Sequence, residues 1–584
     1  MKILQLHSNF IEYKPVKKEI AVAEPYEKKT HRLDELVVLF IAIEDGDNIP
    51  LTHEAIEEVR ASLKRLKVNK ILLYPYAHLS NNLAEPAIAF NLLKNMEKHA
   101  KEIGIETYRT PFGWCKQFTI SIKGHPLAEQ FRVFIAKEKG TSEQTRDTIS
   151  EALKSEEKIK SKFFIMKVEG ELIPVNTFDF SKNTNLEKFC RYEMKKTRTA
   201  IQPSPHVSLM KKLELVDNEP GSDPGNLRFY PKGRLIKSLL EQFVTQKVIE
   251  YGGIEVETPI MYDAKNPSLA NYFNRFPARQ YIIKSEDKDL FLRFSACFGQ
   301  FLMAHGMQIS YKQLPVKLYE LTRYSFRREK SGELVGLRRL RAFTMPDVHA
   351  LCSDLDQALT EAVTRFDLAN NFLKEGLNLS VNDIELAIRV TKEFYEKNTD
   401  FIQSFVKTFK KPALIEIWSE RFFYFTLKWE FNFVDNLDKA SALSTDQIDV
   451  ESAERWDITF TNEQGKKQHP IILHCSPSGA IERCIYALLE KAYREQKQGK
   501  APMIPLWLSP TQIRIIPISD KYVDNCKEIA KKIEKAQIRV DIDDRKESVS
   551  KRIRNAEQEW IPYIICIGKY EIKSESFRIR IRKA

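Results

Sequence analysis

No stretch of this 584-residue chain stays apolar over the roughly twenty residues a membrane-spanning helix needs. The N-terminus, MKILQLHSNFIEYKP, lacks the apolar core of a secretory leader and begins like a strand, so a cytoplasmic protein is expected. Cysteine is sparse and scattered: the eight stand at 115, 190, 297, 352, 475, 484, 526 and 566, and none forms CxxC. That suggests neither a disulfide framework nor a zinc ribbon. Neither GxxxxGK[ST] nor a GxGxxG following a strand is present, so P-loop and dinucleotide-fold signatures are missing. Internal repeats and low-complexity tracts are absent as well.

What is there describes a large globular protein. Hydrophobic residues make up 43% and charged residues 29%, with length enough for about four domains of ~150 residues. The net charge of +12 favours a polyanionic partner without proving one. Residues 1–140 alternate strand and helix patterns: "ELVVLFIAI" (35–43) and "NKILLYPYAHLS" (69–80) read as buried strands, and 52–67 has helical spacing. A polar helical stretch at 139–162 reads as a connector. The Pro/Gly/Asp-rich "DNEPGSDPGNLRFYPKG" (217–233) marks a boundary, and so does 497–512. An amphipathic helix opens the large block between them. The last 70 or so residues read β-α-β-α-β-β.

The most informative stretch is "SFRREKSGELVGLRRLRAFTMPDVHAL" (325–351). Read as a strand, 339–349 places Arg339, Arg341, Phe343, Met345, Asp347 and His349 on one face and nearly apolar residues on the other. The preceding strand, 320–329, is predicted to align Arg323, Ser325, Arg327 and Glu329. With a loop at 330–337 containing Ser331, Gly332 and Gly336, the two make an antiparallel hairpin. Its polar face fits either a solvated surface of paired Arg and Glu or a floor that holds an anionic nucleotide by bidentate arginines.

"FRRE…GLRRLRAF" resembles motif 2 of the class II aminoacyl-tRNA synthetases, "HCSPSGAIERCIYALLE" (474–490) resembles motif 3, and the helix and strand ending at Pro259 resemble motif 1, a dimer element. With "YPYAHLS" and "PFGWCKQFTISIKGHPLAE" in the first 140 residues, nearly the whole chain resembles the archaeal-type threonyl-tRNA synthetases. The absence of HIGH and KMSKS agrees. The resemblance implies a multidomain α/β and α+β protein. An editing domain similar to D-aminoacyl-tRNA deacylases spans 1–140, a linker 141–200, an antiparallel-sheet class II catalytic domain 201–500, and an α/β anticodon-binding domain 505–584. The family carries one further helix there, leaving a naturally short or a truncated module as alternatives, with reduced anticodon affinity expected.

By the same resemblance Arg327 holds the α-phosphate of ATP, Glu329 reads the adenine amino group, Phe343 stacks on adenine, Arg483 holds the γ-phosphate and Arg339 is a second γ-phosphate candidate. Gln447 contacts nucleotide or substrate, and Asp347 binds the amino group of threonine. A zinc ion is implied on Cys297, His349 and His474, whose wide spacing carries no metal signature by itself; Mg²⁺ is implied with ATP. Met345 stands where the bacterial branch has glutamine. Independently, Ser476 as N-cap with Pro477 at the first helical position would put Arg483 near a helix N-terminus, where anions are favoured. The hydrolytic pocket implied for editing uses His78, Lys116 and Glu129, with Cys115 where the family has an aromatic and Trp114 one residue earlier. Glu571 and Arg580 match anticodon-contacting positions. In "SFRIRIRKA", apolar Phe577, Ile579 and Ile581 alternate with Arg578, Arg580 and Arg582, which suits either RNA phosphates or a charged edge strand. Expected partners are threonine, ATP, tRNA(Thr) and a second copy of the chain, not DNA or a membrane. A synthetase for serine or proline, and a synthetase-like RNA-binding protein that has lost catalysis, are the competing readings.

Overall fold

The computed structural model describes residues 1–20, 23–80, 82–125, 127–134, 161–195, 204–266, 269, 280–327, 329, 333–421, 423–574 and 576–582. Ser331 and Gly332 of the expected hairpin loop, and nearly all of the polar stretch 139–162, lie outside them. The chain forms two compact units, Met1–Glu143 and Gln144–Ala584.

In the first unit a continuous apolar run makes the central strand. Val37 to Ala42 of strand His31–Ala42 are all buried, as expected where a sheet is covered on both faces. This strand pairs antiparallel with Lys2–Lys18 and parallel with Lys70–Pro75, which pairs with Glu106–Arg109; Trp114–Ile122 and Glu129–Val133 both pair with Lys2–Lys18. Helices Ile49–Leu66 and Pro86–Glu102 cover one face through Ile56, Val59, Leu93 and Met96. Asn48 caps the first of these, accepting from Leu51 N–H at 3.1 Å. The other face gathers Leu6, Ile11, Tyr13, Phe40 and Tyr74.

The second unit is built on a ten-stranded sheet, in the order 254–255, 316–326, 342–352, 471–476, 440–449, 425–434, 384–391, 413–418, 161–166 and 172–174. Helices Pro231–Glu250, Leu355–Asn371 and Ile481–Lys497 share one core with this sheet. Strand residues Val348, Ala350, Cys352, Ile448 and Leu473 belong to that core, so the alternate residues of the same strands face the other way. Those alternate residues include Asp347, His349, Gln447 and His474. A smaller sheet follows, ordered 540–542, 513–517, 563–567 and 579–581, with helices Val523–Glu534 and Val549–Gln558.

Two expectations are corrected. Residues 161–195, expected within a linker, supply two strands and the helix Thr184–Lys195; Ser161–Met166 pairs with Ala413–Trp418 because Ile165 and Met166 are buried apolar residues that the sheet can absorb. The C-terminal stretch also carries a short helix, Lys569–Ser574, before its last strand.

Candidate active site

The hairpin forms, but its phase differs from strict alternation. Strands Val316–Phe326 and Ala342–Cys352 pair antiparallel, with Thr322 opposite Met345 but Ser325 opposite Phe343. A bulge therefore inserts one residue at Arg323–Tyr324. Before it, Leu318, Glu320 and Thr322 share the face of His349, Asp347 and Met345; after it, Ser325 and Arg327 take over that face. Arg323 and Tyr324 are turned out and exposed, and Ser325 is fully buried. The expected row Arg323–Ser325–Arg327–Glu329 is thus broken at its first member. The second strand also starts later than expected, at Ala342, which leaves Arg339 and Arg341 in the connection.

Three guanidinium groups border this face. Arg327 lies 5.7 Å from the ring centre of Phe343. Arg339 donates to Glu329 Oε2 at 2.8 Å and to Glu333 Oε2 at 3.1 Å. Among the described residues, Arg483 donates to backbone, to the carbonyls of Arg338 at 3.1 Å and Ala442 at 3.0 Å. Burial first, then Arg327 and Arg339, hold the Arg483 guanidinium below its usual range. Three mutually repelling cations around one space favour an anion there. The helix bearing Arg483 begins at Ile481, not at Pro477 as expected, because Gly479 makes a left-handed turn (φ +63°) after the strand. A Cβ at Gly479 would come within 1.6 Å of the Leu443 carbonyl oxygen. Arg483 consequently stands in the helix's first turn.

Beside the arginines, Cys297, His349 and His474 converge, with their donor atoms all within 4.8 Å of one another. Cys297 is 52 and 177 residues from the two histidines. The fold closes that gap simply: His349 and His474 are register partners on neighbouring strands, and Cys297 is the first residue of helix Cys297–Gly306. Cys297 Sγ lies 3.1 Å from His349 Nε2 and 3.6 Å from His474 Nδ1. Each imidazole is held from behind. His349 Nδ1 is 2.7 Å from Gln300 Oε1, and His474 Nε2 is 2.7 Å from Asp449 Oδ2. Since both partners accept, each ring donates on its far side and aims a lone pair at Cys297. Burial pushes the Cys297 thiol up to about 12 and holds His349 well below the ordinary imidazole range. One thiol and two imidazoles are a donor set for a borderline-soft divalent cation.

Asp347 sits directly across the ladder from Glu320. Burial, then Glu320, raises its carboxyl to about 7 against the pull of Arg293 and Arg327. Glu320 in turn accepts from Arg293 at 2.7 Å and from the Thr258 hydroxyl at 2.8 Å. The Tyr262 hydroxyl is buried beside Thr258, Arg293 and Glu320 as well. Gln447, register partner of His474, accepts from the Tyr424 hydroxyl at 2.6 Å. Tyr424, Gln300, Asp449, Arg293 and Glu320 escaped the sequence reading. Only Gln300, one helical turn after Cys297, had a readable signal.

In the first unit Lys116 is tucked inward, donating to the carbonyls of Pro111 at 3.1 Å and Trp114 at 3.0 Å, with its ammonium 4.9 Å from the Tyr74 ring centre. Burial lowers it to about 8. Phe118 pairs with Tyr13 near one end of the long first strand and Phe40 with Leu4 near the other, yet their rings lie 5.6 Å apart. The sheet therefore curls, and Lys116 borders a concave aromatic surface of Phe40, Tyr74, Tyr76 and Phe118. His78 reaches that surface through Tyr76, ring centres 5.3 Å apart. Glu129 is exposed opposite Leu6, and among the described residues no hydrogen bond joins it to Lys116 or His78. At the other end of the chain, Glu571 accepts from Gly568 N–H at 3.0 Å, and Arg580 pairs with Glu557 at 2.6 Å while remaining largely exposed.

Comparison with known proteins covers every part of the chain. Residues 1–134 match the archaea-specific editing domain of threonyl-tRNA synthetase, 281–492 the class II tRNA synthetase core domain (G, H, P, S and T), and 512–584 the anticodon-binding domain. The threonine–tRNA ligase of Nitrosopumilus maritimus is 56% identical over all of this chain and 93% of its own length. That of Thermococcus kodakarensis is 54% identical over the same shares. Among solved structures, the RNA-binding domain of threonyl-tRNA synthetase from Cryptosporidium parvum superposes with a TM-score of 0.56 at 24% identity, over 65% of this chain and 93% of that one. Giardia lamblia prolyl-tRNA synthetase in complex with prolyl-adenylate gives 0.53 at 16%, over 66% and 74%. These two likenesses concern the fold alone.

Proposed function

The chain belongs to the archaeal threonine–tRNA ligases, and from that premise we propose that its sheet face grips ATP through Arg327, Phe343 and Arg483 while Cys297, His349 and His474 hold a zinc ion at which threonine is recognised. The enzyme activates threonine with ATP, transfers it to tRNA(Thr), and hydrolyses mischarged seryl-tRNA in its editing domain.

The observation that carries the reading is the convergence of those three residues, each histidine braced by an acceptor, with Arg327 near Asp347 and near Arg483. A zinc ion held by Cys297, His349 and His474 would act as a Lewis acid able to coordinate the amine and the side-chain hydroxyl of threonine. The protein's own groups do the rest. Asp347 takes the substrate ammonium, with Tyr424 and Gln447 alongside. Phe343 stacks on adenine and Glu329 reads its amino group. Arg327 neutralises the α-phosphate as the carboxylate of threonine attacks it, and Arg483 holds the departing pyrophosphate, with Arg339 released from Glu329 and Glu333 as a second cation. Mg²⁺ enters with ATP. No protein nucleophile is required, because positioning and charge neutralisation lower the barrier.

A site demanding a hydroxyl rejects valine by ~10⁴-fold or more, but serine differs from threonine by one methyl, worth only ~1–3 kcal/mol. Lys116, His78 and Glu129 are proposed to line the editing pocket, and Glu571 and Arg580 to meet the anticodon. The exposed Ile254 on the edge strand of the large sheet, Ile249 on the helix before it, Ile260 just after it, and Met261 and Ile282 in a separate three-stranded sheet support a homodimer. No helix among the described residues is long and apolar enough to cross a membrane, and a cytoplasmic location is proposed.

Cys297→Ser is expected to lose zinc, measured by elemental analysis, together with threonine-dependent ATP–pyrophosphate exchange. Unchanged metal content would remove Cys297 from the set. Running the exchange across all amino acids separates the competing readings: another amino acid would indicate a different synthetase, and none a protein without catalysis.

A further inference from the structure

The bulge at Arg323–Tyr324 shifts Ser325 and Arg327 onto the face of Phe343, and such an irregularity needs something to hold its broken ladder. Thr344, fully buried beside it, has its backbone N–H taken not by a strand but by the carboxylate of Glu482, at 3.0 and 3.2 Å from the two oxygens. The hydroxyl of Thr344 donates to the carbonyl of Arg323 at 3.0 Å, inside the bulge itself. Glu482 is 1% exposed and also accepts from Lys237 Nζ at 2.6 Å. Lys237 belongs to helix Pro231–Glu250 and Glu482 to the first turn of helix Ile481–Lys497. One carboxylate thus joins two helices to the hairpin.

Glu482 is flanked by Arg483, and Thr344 by Phe343. Arg483 reaches back to the carbonyl of Arg338 in the hairpin connection. The contacts close a ring that runs Arg338, Arg483, Glu482, Thr344, Arg323 and back along the hairpin. We infer that Glu482 is a positioning residue for the nucleotide: by holding Thr344 N–H it fixes the distance between the adenine-stacking ring of Phe343 and the phosphate-binding guanidinium of Arg483. This rests on the proposed ATP roles of those two residues. The amino-acid pocket, built from Cys297, His349, His474 and Asp347, has no bond to Glu482, so the effect falls on ATP rather than on threonine.

Glutamine cannot replace this carboxylate. Its NH₂ would face either the Lys237 ammonium or the Thr344 N–H, donor against donor. Glu482→Gln is expected to raise the KM for ATP about tenfold in pyrophosphate exchange, the scale of one lost charge-assisted bond, with the KM for threonine within about twofold and zinc content unchanged. Glu482→Gln combined with Lys237→Met removes the unpaired ammonium. With the ammonium gone, the amide oxygen of the glutamine can accept from Thr344 N–H, so this variant is expected to recover both the melting temperature and the ATP KM. Thr344→Val keeps the shape and removes the bond to Arg323; it is expected to raise the ATP KM selectively, and it carries the test alone if the Glu482 variant does not fold. Equal rises in both KM values, or an ATP KM that stays raised in the double variant, would overturn the inference. Phe343→Ala is run in parallel: if it too leaves the ATP KM unchanged, the adenine assignment fails, whereas a rise there with none in Glu482→Gln and Thr344→Val sinks only the positioning role.

Discussion

Gln300 and Asp449 touch no substrate in the proposed site, yet each decides which nitrogen of a histidine can bind metal. Asp449 divides its carboxylate, giving Oδ2 to His474 and Oδ1 to the N–H groups of Glu451 and Ser452. Removing such a partner typically weakens metal binding by about 10–100-fold. Asp449→Ala and Gln300→Ala are therefore expected to lower zinc affinity by that factor, read by competition with a chelator rather than by activity. Wild-type affinity in both would show that strand geometry alone orients the rings. Lys116 makes a second prediction at this scale. Burial lowers it to about 8 in the folded protein from an ordinary value near 10.5. Between those values the unfolded chain binds more protons, so stability of the editing unit rises with pH across about 8 to 10.5. Below 8 the buried ammonium costs stability in full. Lys116→Met is expected to flatten that rise in pH-dependent thermal unfolding, and Lys116→Ala to charge tRNA normally while leaving seryl-tRNA undestroyed. An unaltered pH profile in Lys116→Met would mean the ammonium is solvated.

At the scale of elements, the turn before helix Ile481–Lys497 has a predictable weak point. Gly479 is in the left-handed region and leaves no room for a Cβ against Leu443. Gly479→Ala combines a backbone cost of about 1–3 kcal/mol with that clash, and several degrees should be lost from the melting temperature. A melting temperature equal to wild type would mean the turn relaxes freely. The same turn shows what the sequence could and could not disclose. Ser476–Pro477 has the chemistry of a helix start, but position 477 is still leaving the strand, and the left-handed glycine delays the helix to Ile481. Alternation placed Phe343, Met345, Asp347 and His349 correctly on one face because their strand is regular. It misplaced Arg323, because a one-residue bulge leaves no trace in a pattern of period two. The elements at 161–195 were missed for a related reason: strand Ser161–Met166 finds its partner some 250 residues downstream, at Ala413–Trp418, and no local pattern reports such a pairing. The candidate metal cluster is the extreme case, since His349 and His474 become neighbours through strand register and Cys297 joins them from a helix; family resemblance, not spacing, pointed to it.

For the whole molecule, the edge of the large sheet is the feature left unsatisfied. Strand Ile254–Glu255 ends the ten-strand order, and Ile254 is more than half exposed. A long sheet does not end in apolar residues without a partner unless it is covered. A stable interface needs on the order of 1,200–2,000 Å², and a twofold pairing presents this patch to itself, so each substitution acts twice. Ile254→Glu together with Met261→Glu would bury uncompensated carboxylates, a cost of several kcal/mol. Wild-type chain is expected to sediment as a dimer at micromolar concentration, and the double variant as a monomer that keeps its zinc. A variant that still sediments as a dimer would exclude this edge as the interface, and a wild-type monomer would exclude the dimer itself.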